Sequence, residues 1–366
     1  MIRPGQVLSL IVAGAVLVGA GLWLASRQGA GSSADDAQGP VLSLRQQDLN
    51  AVTRLRIFKG DGSHTTLARD ASRWLVAERG YPADTGQVRK LLLDLSALQV
   101  EEQKTADPDL YSKLGVEDPR GFQAGSTGVD IDFDGRTLGL IVGHTYGTRS
   151  VYLRLRGQGR SVLATPQLAP DADPRHWLDR SVLDIAAERV IEVDMKPQGG
   201  PDYTLKRAGS DYAVTPIPKG RELGDPAAPA SQAGTLAGLQ LDDVRKAGSG
   251  AAVAHATFVT SDGLTLALAG IQVAEQRYIT IAVSGSSPTA QAQARDLNAR
   301  LAGWEFEIPG YRYDSLFQPL EQLLKPKTAA TPAGASGPAQ SPAAGPARLP
   351  FGPQGGEDKV TPQQSH

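Results

Sequence analysis

Residues 52–76 reappear without a gap 138 positions later. Val52-Thr-Arg-Leu55-Arg-Ile57 aligns with Val190-Ile-Glu-Val193-Asp-Met195, Thr66-Leu67 with Thr204-Leu205, and Arg69 with Arg207. Trp74 meets Tyr212 and Val76 meets Val214, so apolar falls on apolar at alternate positions and aromatic on aromatic. A self-similarity of this kind marks a tandem of like structural units. Further blocks repeat at changing offsets. Ser96-Ala-Leu-Gln-Val-Glu-Glu102 parallels Ala237-Gly-Leu-Gln-Leu-Asp-Asp243, Asp134-Gly-Arg-Thr-Leu138 parallels Asp262-Gly-Leu-Thr-Leu266, and Val151-Tyr-Leu-Arg-Leu155 parallels Arg277-Tyr-Ile-Thr-Ile281. Loops therefore differ in length while elements persist.

The alternation predicts strands. Leu55–Ile57 and Thr65–Leu67, joined by the turn-forming Lys59-Gly-Asp-Gly-Ser63, read as a hairpin, with Trp74–Val76 as a third strand. Val88, Leu91, Leu92, Leu95 and Leu98 share one helical stripe, with Asp84 or Thr85 as N-cap. A short turn of helix at Tyr111–Pro119 ends at Gly115. Strands resume at Val129–Phe133 and Leu138–Val142 around Asp134-Gly135, a strong hairpin signal, and continue at Val151–Leu155 and Ser161–Ala164. Pro174–Leu183 reads as a connecting helix capped by Asp173. A helix over Ala292–Leu301, a strand at Trp304–Ile308 and a last amphipathic helix over Asp314–Leu324 close the second unit. The expected fold is α+β: two tandem similar units of antiparallel sheet packed with helices, preceded by one transmembrane helix.

Val7 to Ala25 is a run of about 19 residues without a charge, which as a helix nearly spans a bilayer core. Arg3 precedes it, and Trp23 near its far end suits the interface. A cleaved signal peptide is the rival reading. It has a shorter apolar stretch and a small-residue cleavage site, and no clean site follows here. The expected organisation is an anchor at 1–27, a flexible linker at 28–47, units at 48–183 and 184–327, and a Pro/Ala/Gly-rich disordered tail at 328–366. Everything after the anchor is expected outside the cytoplasm, at the periplasmic face of the inner membrane.

Chemical signals are weak by comparison. With 37 basic and 39 acidic residues the net charge is -2, which offers no electrostatic footprint for nucleic acid. The chain has no cysteine, which removes disulfide scaffolds, thiolate zinc sites and cysteine nucleophiles. Asp130-Ile-Asp132-Phe-Asp134-Gly135 fits the opening of a calcium loop, but Leu138 and Ile141 stand at its ninth and twelfth positions, where ligands are needed. A strand with outward aspartates explains the run better. Of the five histidines, His64, His144, His176, His255 and His366, none is three or four residues from another, so no helical metal pair exists. The acidic pairs Glu101-Glu102 and Asp242-Asp243 recur in both units, as a solvated helix exit would and a catalytic pair need not. No nucleophile elbow, Walker loop or dinucleotide fingerprint appears. No catalytic, cofactor-binding or metal-ligating residue is therefore predicted, and no cofactor.

The placed elements resemble a bacterial family known as domain-of-unknown-function family 4340. The resemblance is carried by Leu49-Asn-Ala-Val-Thr-Arg-Leu-Arg-Ile57, Trp74-Leu-Val76, Tyr81-Pro-Ala-Asp84, Leu114-Gly-Val-Glu-Asp-Pro119, Trp177-Leu-Asp-Arg-Ser-Val-Leu-Asp184 and Trp304-Glu-Phe-Glu-Ile-Pro309, over roughly 48–327. These are scaffold patterns, and the family has no catalytic residues to transfer. The resemblance implies a non-enzymatic, membrane-tethered companion of a gliding-motility-type ABC exporter, with the permease or its auxiliary subunit as partner. A periplasmic envelope-binding or scaffold module recognising a glycan, lipid or peptidoglycan fragment is the alternative. An unrecognised hydrolase ranks last.

Overall fold

The computed structural model describes residues 39–327, apart from Ser43, Arg45, Phe122, Gln123 and Ser249 and the side chain of Gln46. The stretch read as a membrane anchor, the first part of the linker and the tail beyond Lys327 lie outside the described residues. No helix among the described residues is long and apolar enough to cross a membrane.

In the first half the elements run α1 (Gln46–Ala51), β1 (Val52–Lys59), β2 (His64–Asp70), β3 (Arg73–Val76), β4 (Tyr81–Pro82), α2 (Thr85–Ala97), β5 (Gln99–Gln103), α3 (Tyr111–Leu114), β6 (Thr127–Phe133), β7 (Arg136–Tyr146), β8 (Ser150–Leu155) and β9 (Ser161–Thr165). After β10 (Ser181–Leu183) the second half runs β11 (Val190–Lys196), β12 (Tyr203–Ala208), β13 (Asp211–Thr215), β14 (Arg221–Leu223), α4 (Ala228–Ala233), β15 (Leu239–Gln240), β16 (Asp243–Lys246), β17 (Ala254–Thr260), β18 (Leu264–Val273), β19 (Gln276–Gly285), α5 (Pro288–Leu301), β20 (Trp304–Glu307), α6 (Gly310–Leu316), α7 (Leu320–Leu323) and β21 (Leu324–Pro326). Mostly antiparallel sheet with a few helices, this is an α+β architecture.

Two large sheets carry the fold. The order in one is β4-β3-β2-β1-β6-β7-β8-β9-β5, and in the other β13-β12-β11-β17-β18-β19-β20-β16. From β3 and β13 onward, the strands follow each other in the same sequence. Registers repeat as well. Leu55 faces Leu67 as Val193 faces Leu205, and Arg69 faces Trp74 as Arg207 faces Tyr212. Lead-in segments match too: Val100 donates to the Gly39 carbonyl at 2.9 Å, and Leu241 to the Arg180 carbonyl at 3.0 Å.

Alternation explains why each sheet buries one face. Val52, Leu55 and Ile57 of β1 are sealed from solvent, with Val129 and Ile131 of β6 beside them. Helix α2 lays Val88, Leu91, Leu92 and Leu95 on the sheet, and the Asp84 carboxylate caps it by accepting from the Gly86 and Gln87 amides. At Asp134-Gly135 both residues have positive φ, 47° and 70°, the geometry that lets a two-residue turn follow the strand twist. The opposite face of the first sheet is covered by a smaller cluster of Tyr111, Val116 and Ile141. Arg154 is buried there, donating to the Val116 carbonyl at 2.8 Å, so the Leu114–Pro119 pattern is a backbone acceptor for a sheet arginine.

Three elements differ from expectation. Pro174–Leu183 is a short 3-10 turn, Pro174–Trp177, followed by extended chain. Backbone pairing wins over helix here. Asp84 donates to the Trp177 carbonyl and Asp179 to the Pro82 carbonyl, while β10 pairs with β15. Asp173 does cap the turn, through the Arg175 amide at 2.9 Å. The last helix is two, α6 and α7, broken at Gln318-Pro319, because proline lacks an N–H and pushes the preceding residue out of helical geometry. Helix α5 begins four residues early, with Ser287 as N-cap and Pro288 in the first turn.

Candidate functional site

The two sheets meet where the β3–β4 turn of the first half reaches the β16 edge of the second. Tyr81 stands edge-on to Trp304 at 5.1 Å between ring centroids, and to Phe306 at 6.2 Å. Burial holds its phenol protonated, with the pKa pushed up to about 12. Beside this aromatic contact lies a cleft of 320 Å³ lined by Glu78, Arg79, Asp243, Arg245, Lys246 and Tyr278.

Ion pairs occupy that cleft. Arg79 clasps Asp243 with two hydrogen bonds, 2.7 Å from Nε and 2.8 Å from Nη2, which raises the guanidinium pKa. Arg245 stacks 3.7 Å over the Tyr278 ring and donates to Glu305 at 2.7 Å. Glu305 is buried and also accepts from the Gly248 amide. Lys246 sits 3.5 Å over Trp304. Each cation thus faces a carboxylate or an aromatic ring of its own protein, and the Arg79–Asp243 pair, with Tyr81 against Trp304 and Phe306, fastens one half to the other. Glu78 contributes a buried carboxylate oxygen without a hydrogen bond, and its other oxygen lies 3.8 Å from His64 Nε2.

Two other concavities belong to the first half. One, of 380 Å³, lies between α2 (Gln87, Lys90, Leu91) and the Leu168–Pro170 segment, above Trp177. The other is a groove of 670 Å³ with Pro40, Leu42, Leu44, Phe133 and Leu138 as apolar walls and Asp48, Ser96 and Arg136 as its polar lining. Arg136 lies 5.2 Å over the Phe133 ring.

The residues weighed in the sequence are scattered. Asp130 and Asp132 lie on the outer face of β6, where Arg156 pairs with Asp130 and Thr137 donates to Asp132 at 2.7 Å. Asp134 is in the turn. His64 bonds the Gly62 carbonyl, His176 pairs with Asp171, His144 packs on Gly115, and His255 is exposed on β17. His366 lies outside the described residues. No three His, Asp or Glu side chains come together as metal ligands among the described residues. The acidic pairs are fastened instead of merely solvated. Glu101 accepts from Ser150, Glu102 pairs with Lys104, Asp242 with Arg180 and Asp243 with Arg79. Asp243 is the residue that reading the chain in order missed, because its partner lies 164 positions away. The one hint was that its acidic pair recurs in both units.

No curated protein and no solved structure matches this chain. A family model described as a domain of unknown function (DUF4340) matches residues 74–255, from β3 to the start of β17. The matched stretch runs through the junction, taking in Tyr81, Trp177 and Asp243, and the chain belongs to that family.

Proposed function

We propose that this protein is a non-catalytic accessory subunit of an ABC-type, gliding-motility-like export system, moored in the inner membrane by its N-terminal helix with its two sheet units in the periplasm. The observation that carries the reading is the charge-free run Val7–Ala25 joined to a duplicated sheet scaffold. Such a chain has a mooring and a large, rigid surface. In the cleft at the junction Arg79 is paired with Asp243, Arg245 with Glu305, and Lys246 lies over Trp304, which suits holding a shape more than moving protons. The two similar units, each with its own sheet edges and loops, give partners two related faces to engage.

The test is co-purification. The anchored chain, crosslinked in its native membranes and solubilised in detergent, is expected to bring down the permease or its auxiliary subunit. Recovery of no transporter component, with and without crosslinker, overturns the proposal. A second reading, a module that binds envelope glycan, is favoured by one observation: Tyr146 is 58% exposed and pairs with Tyr152 at 5.9 Å, an aromatic platform of the kind sugars stack on. Retention of the chain on peptidoglycan or polysaccharide, abolished by Tyr146→Ala, would select it.

A further inference from the structure

The two large sheets share their strand order but not their outer faces. In the first, Asp130 of β6 stands beside Gly139 of β7, and Arg156 of β8 reaches across that glycine to pair with Asp130. One row on, Ile141 faces Arg154. Both lie under the lobe formed by residues 104–126, where Tyr111 and Val116 pack on Ile141 and Arg154 sits 4.5 Å over the Tyr111 ring. Ion pairs and a cover of its own chain thus occupy that face.

The second sheet keeps the strands and changes the residues. Its Asp262-Gly263 turn stands for Asp134-Gly135, and Phe258 faces Val193 as Ile131 faces Leu55. On that alignment Thr257, Ala267 and Ala282 take the places of Asp130, Gly139 and Arg156, side by side across β17, β18 and β19. Ala269 and Thr280 take those of Ile141 and Arg154. Val259, Thr265 and Ser284 add a row toward the β17–β18 turn. The covering lobe has shrunk to residues 247–253, which lie over the next row: a Cβ on Gly250 would stand 3.1 Å from Ile271. Ala267, Ala282 and Ser284 are left exposed. Charges stand only around this patch. Glu192 pairs with Lys206 and Asp194 accepts from Thr204 on one flank, Arg245 pairs with Glu305 on the other, and Lys196 and His255 stand at one corner.

We infer that this charge-free patch on β17–β19 is the contact between two copies of the chain, laid sheet against sheet about a two-fold axis. A closed pair of that kind brings each residue near its own counterpart, so a charged patch would repel itself and a neutral one does not. A charged partner surface would be desolvated there against alanine and threonine, with nothing to pair with. Short side chains let two sheets approach closely, and threonine hydroxyls both donate and accept across the gap. What fits is a flat, neutral surface of short side chains, and the chain itself carries one. Three strands about 4.8 Å apart and about 20 Å long give roughly 300 Å² on each copy, so the pair is weak and reversible. The inference goes beyond the accessory-subunit reading and stands apart from it.

The chain has no cysteine, so a single introduced one reports cleanly. In the full chain in detergent micelles, Ala267→Cys and Ala282→Cys are expected to give covalent dimers with a short bis-maleimide. Gln103→Cys, exposed on the outermost strand of the first sheet, is expected to give about tenfold less. With Ala282→Cys as reporter, Ala267→Glu and Ala267→Lys are each expected to cut the dimer yield about tenfold by setting like charges against each other. Mixing the Glu and Lys chains is expected to restore it, because opposite charges then meet across the axis. Melting temperatures check that each variant is folded. Should Ala267→Glu melt early, Ala282→Glu with Ala267→Cys as reporter repeats the measurement. No dimer from either cysteine, a Gln103→Cys yield equal to theirs, or a yield indifferent to the introduced charge overturns the inference. So does a mixture of Glu and Lys chains that stays monomeric. An adduct at Ala267→Cys that mass spectrometry identifies as a different protein, with no dimer beside it, overturns it as well.

Discussion

Single residues in this molecule act chiefly as ties between distant segments. Asp243 holds Arg79 across the junction and also accepts from its own Val244 amide. Asp243→Asn weakens a bidentate, charge-assisted pair that is largely shielded from water, and should cost about 1–3 kcal/mol in urea denaturation. A double-mutant cycle with Arg79→Met should return most of that as coupling energy. Tyr81→Ala, which opens a hole against Trp304 and Phe306, should cost more, about 3–5 kcal/mol, and shift Trp304 fluorescence. Asp173 offers a pH-dependent check. The hydrogen bond from Arg175 depresses its carboxyl from 3.8 to about 2. Its contribution is therefore complete above pH 3.8 and is lost as pH falls through about 2. Asp173→Asn should flatten the acid side of the stability profile in that window. Capping by Asp84 and Asp173 was legible in the chain, because a cap is local. The Arg79–Asp243 pair was not, since nothing along the chain fixes which of many surface arginines meets which aspartate.

Elements formed where local and tertiary demands agreed. Helix α2 has its apolar stripe, its Asp84 cap and a sheet to cover, and it appears where the spacing places it. The stretch after Asp173 had a cap and helical spacing, yet its backbone groups found strand partners on both sides, and pairing prevailed. Helix α5 depends on two devices that can be tested. Gly285→Ala drives a methyl into the Ala290 backbone, which cannot yield as a flexible side chain would, and should destabilise by about 2 kcal/mol or more. Asn298→Ala leaves the Val283 N–H and C=O without their partner and should cost about 1–2 kcal/mol. Hydrogen exchange should then quicken first at the Val283 amide. Neither device shows in the alternation of apolar residues, because both answer to how close a helix comes to a strand end.

At the scale of the whole molecule, the two halves do not have separate cores. The buried cluster runs from Leu42 through Tyr81 and Trp177 to Phe306 and Leu324 without a break. The segment Trp177–Leu183 pairs with the first half on one side and the second on the other. Residues 39–326 should accordingly unfold in one calorimetric transition, with Asp243→Asn lowering the whole of it. Two transitions separated by several degrees would show that the halves are thermodynamically independent.

The duplication, the strand and turn positions, the Asp134-Gly135 hairpin and the stripe of α2 were all present in the amino-acid order. Each rests on interactions within a few residues or on a repeat that copies them, and such physics is written locally. Which edge of one sheet meets which edge of the other, and where Asp242 and Asp243 find their arginines, were settled only by tertiary packing. The junction above all depends on contacts between residues far apart in the chain, 164 positions for Arg79 and Asp243, whose free energies exist only once the sheets have closed around a common core.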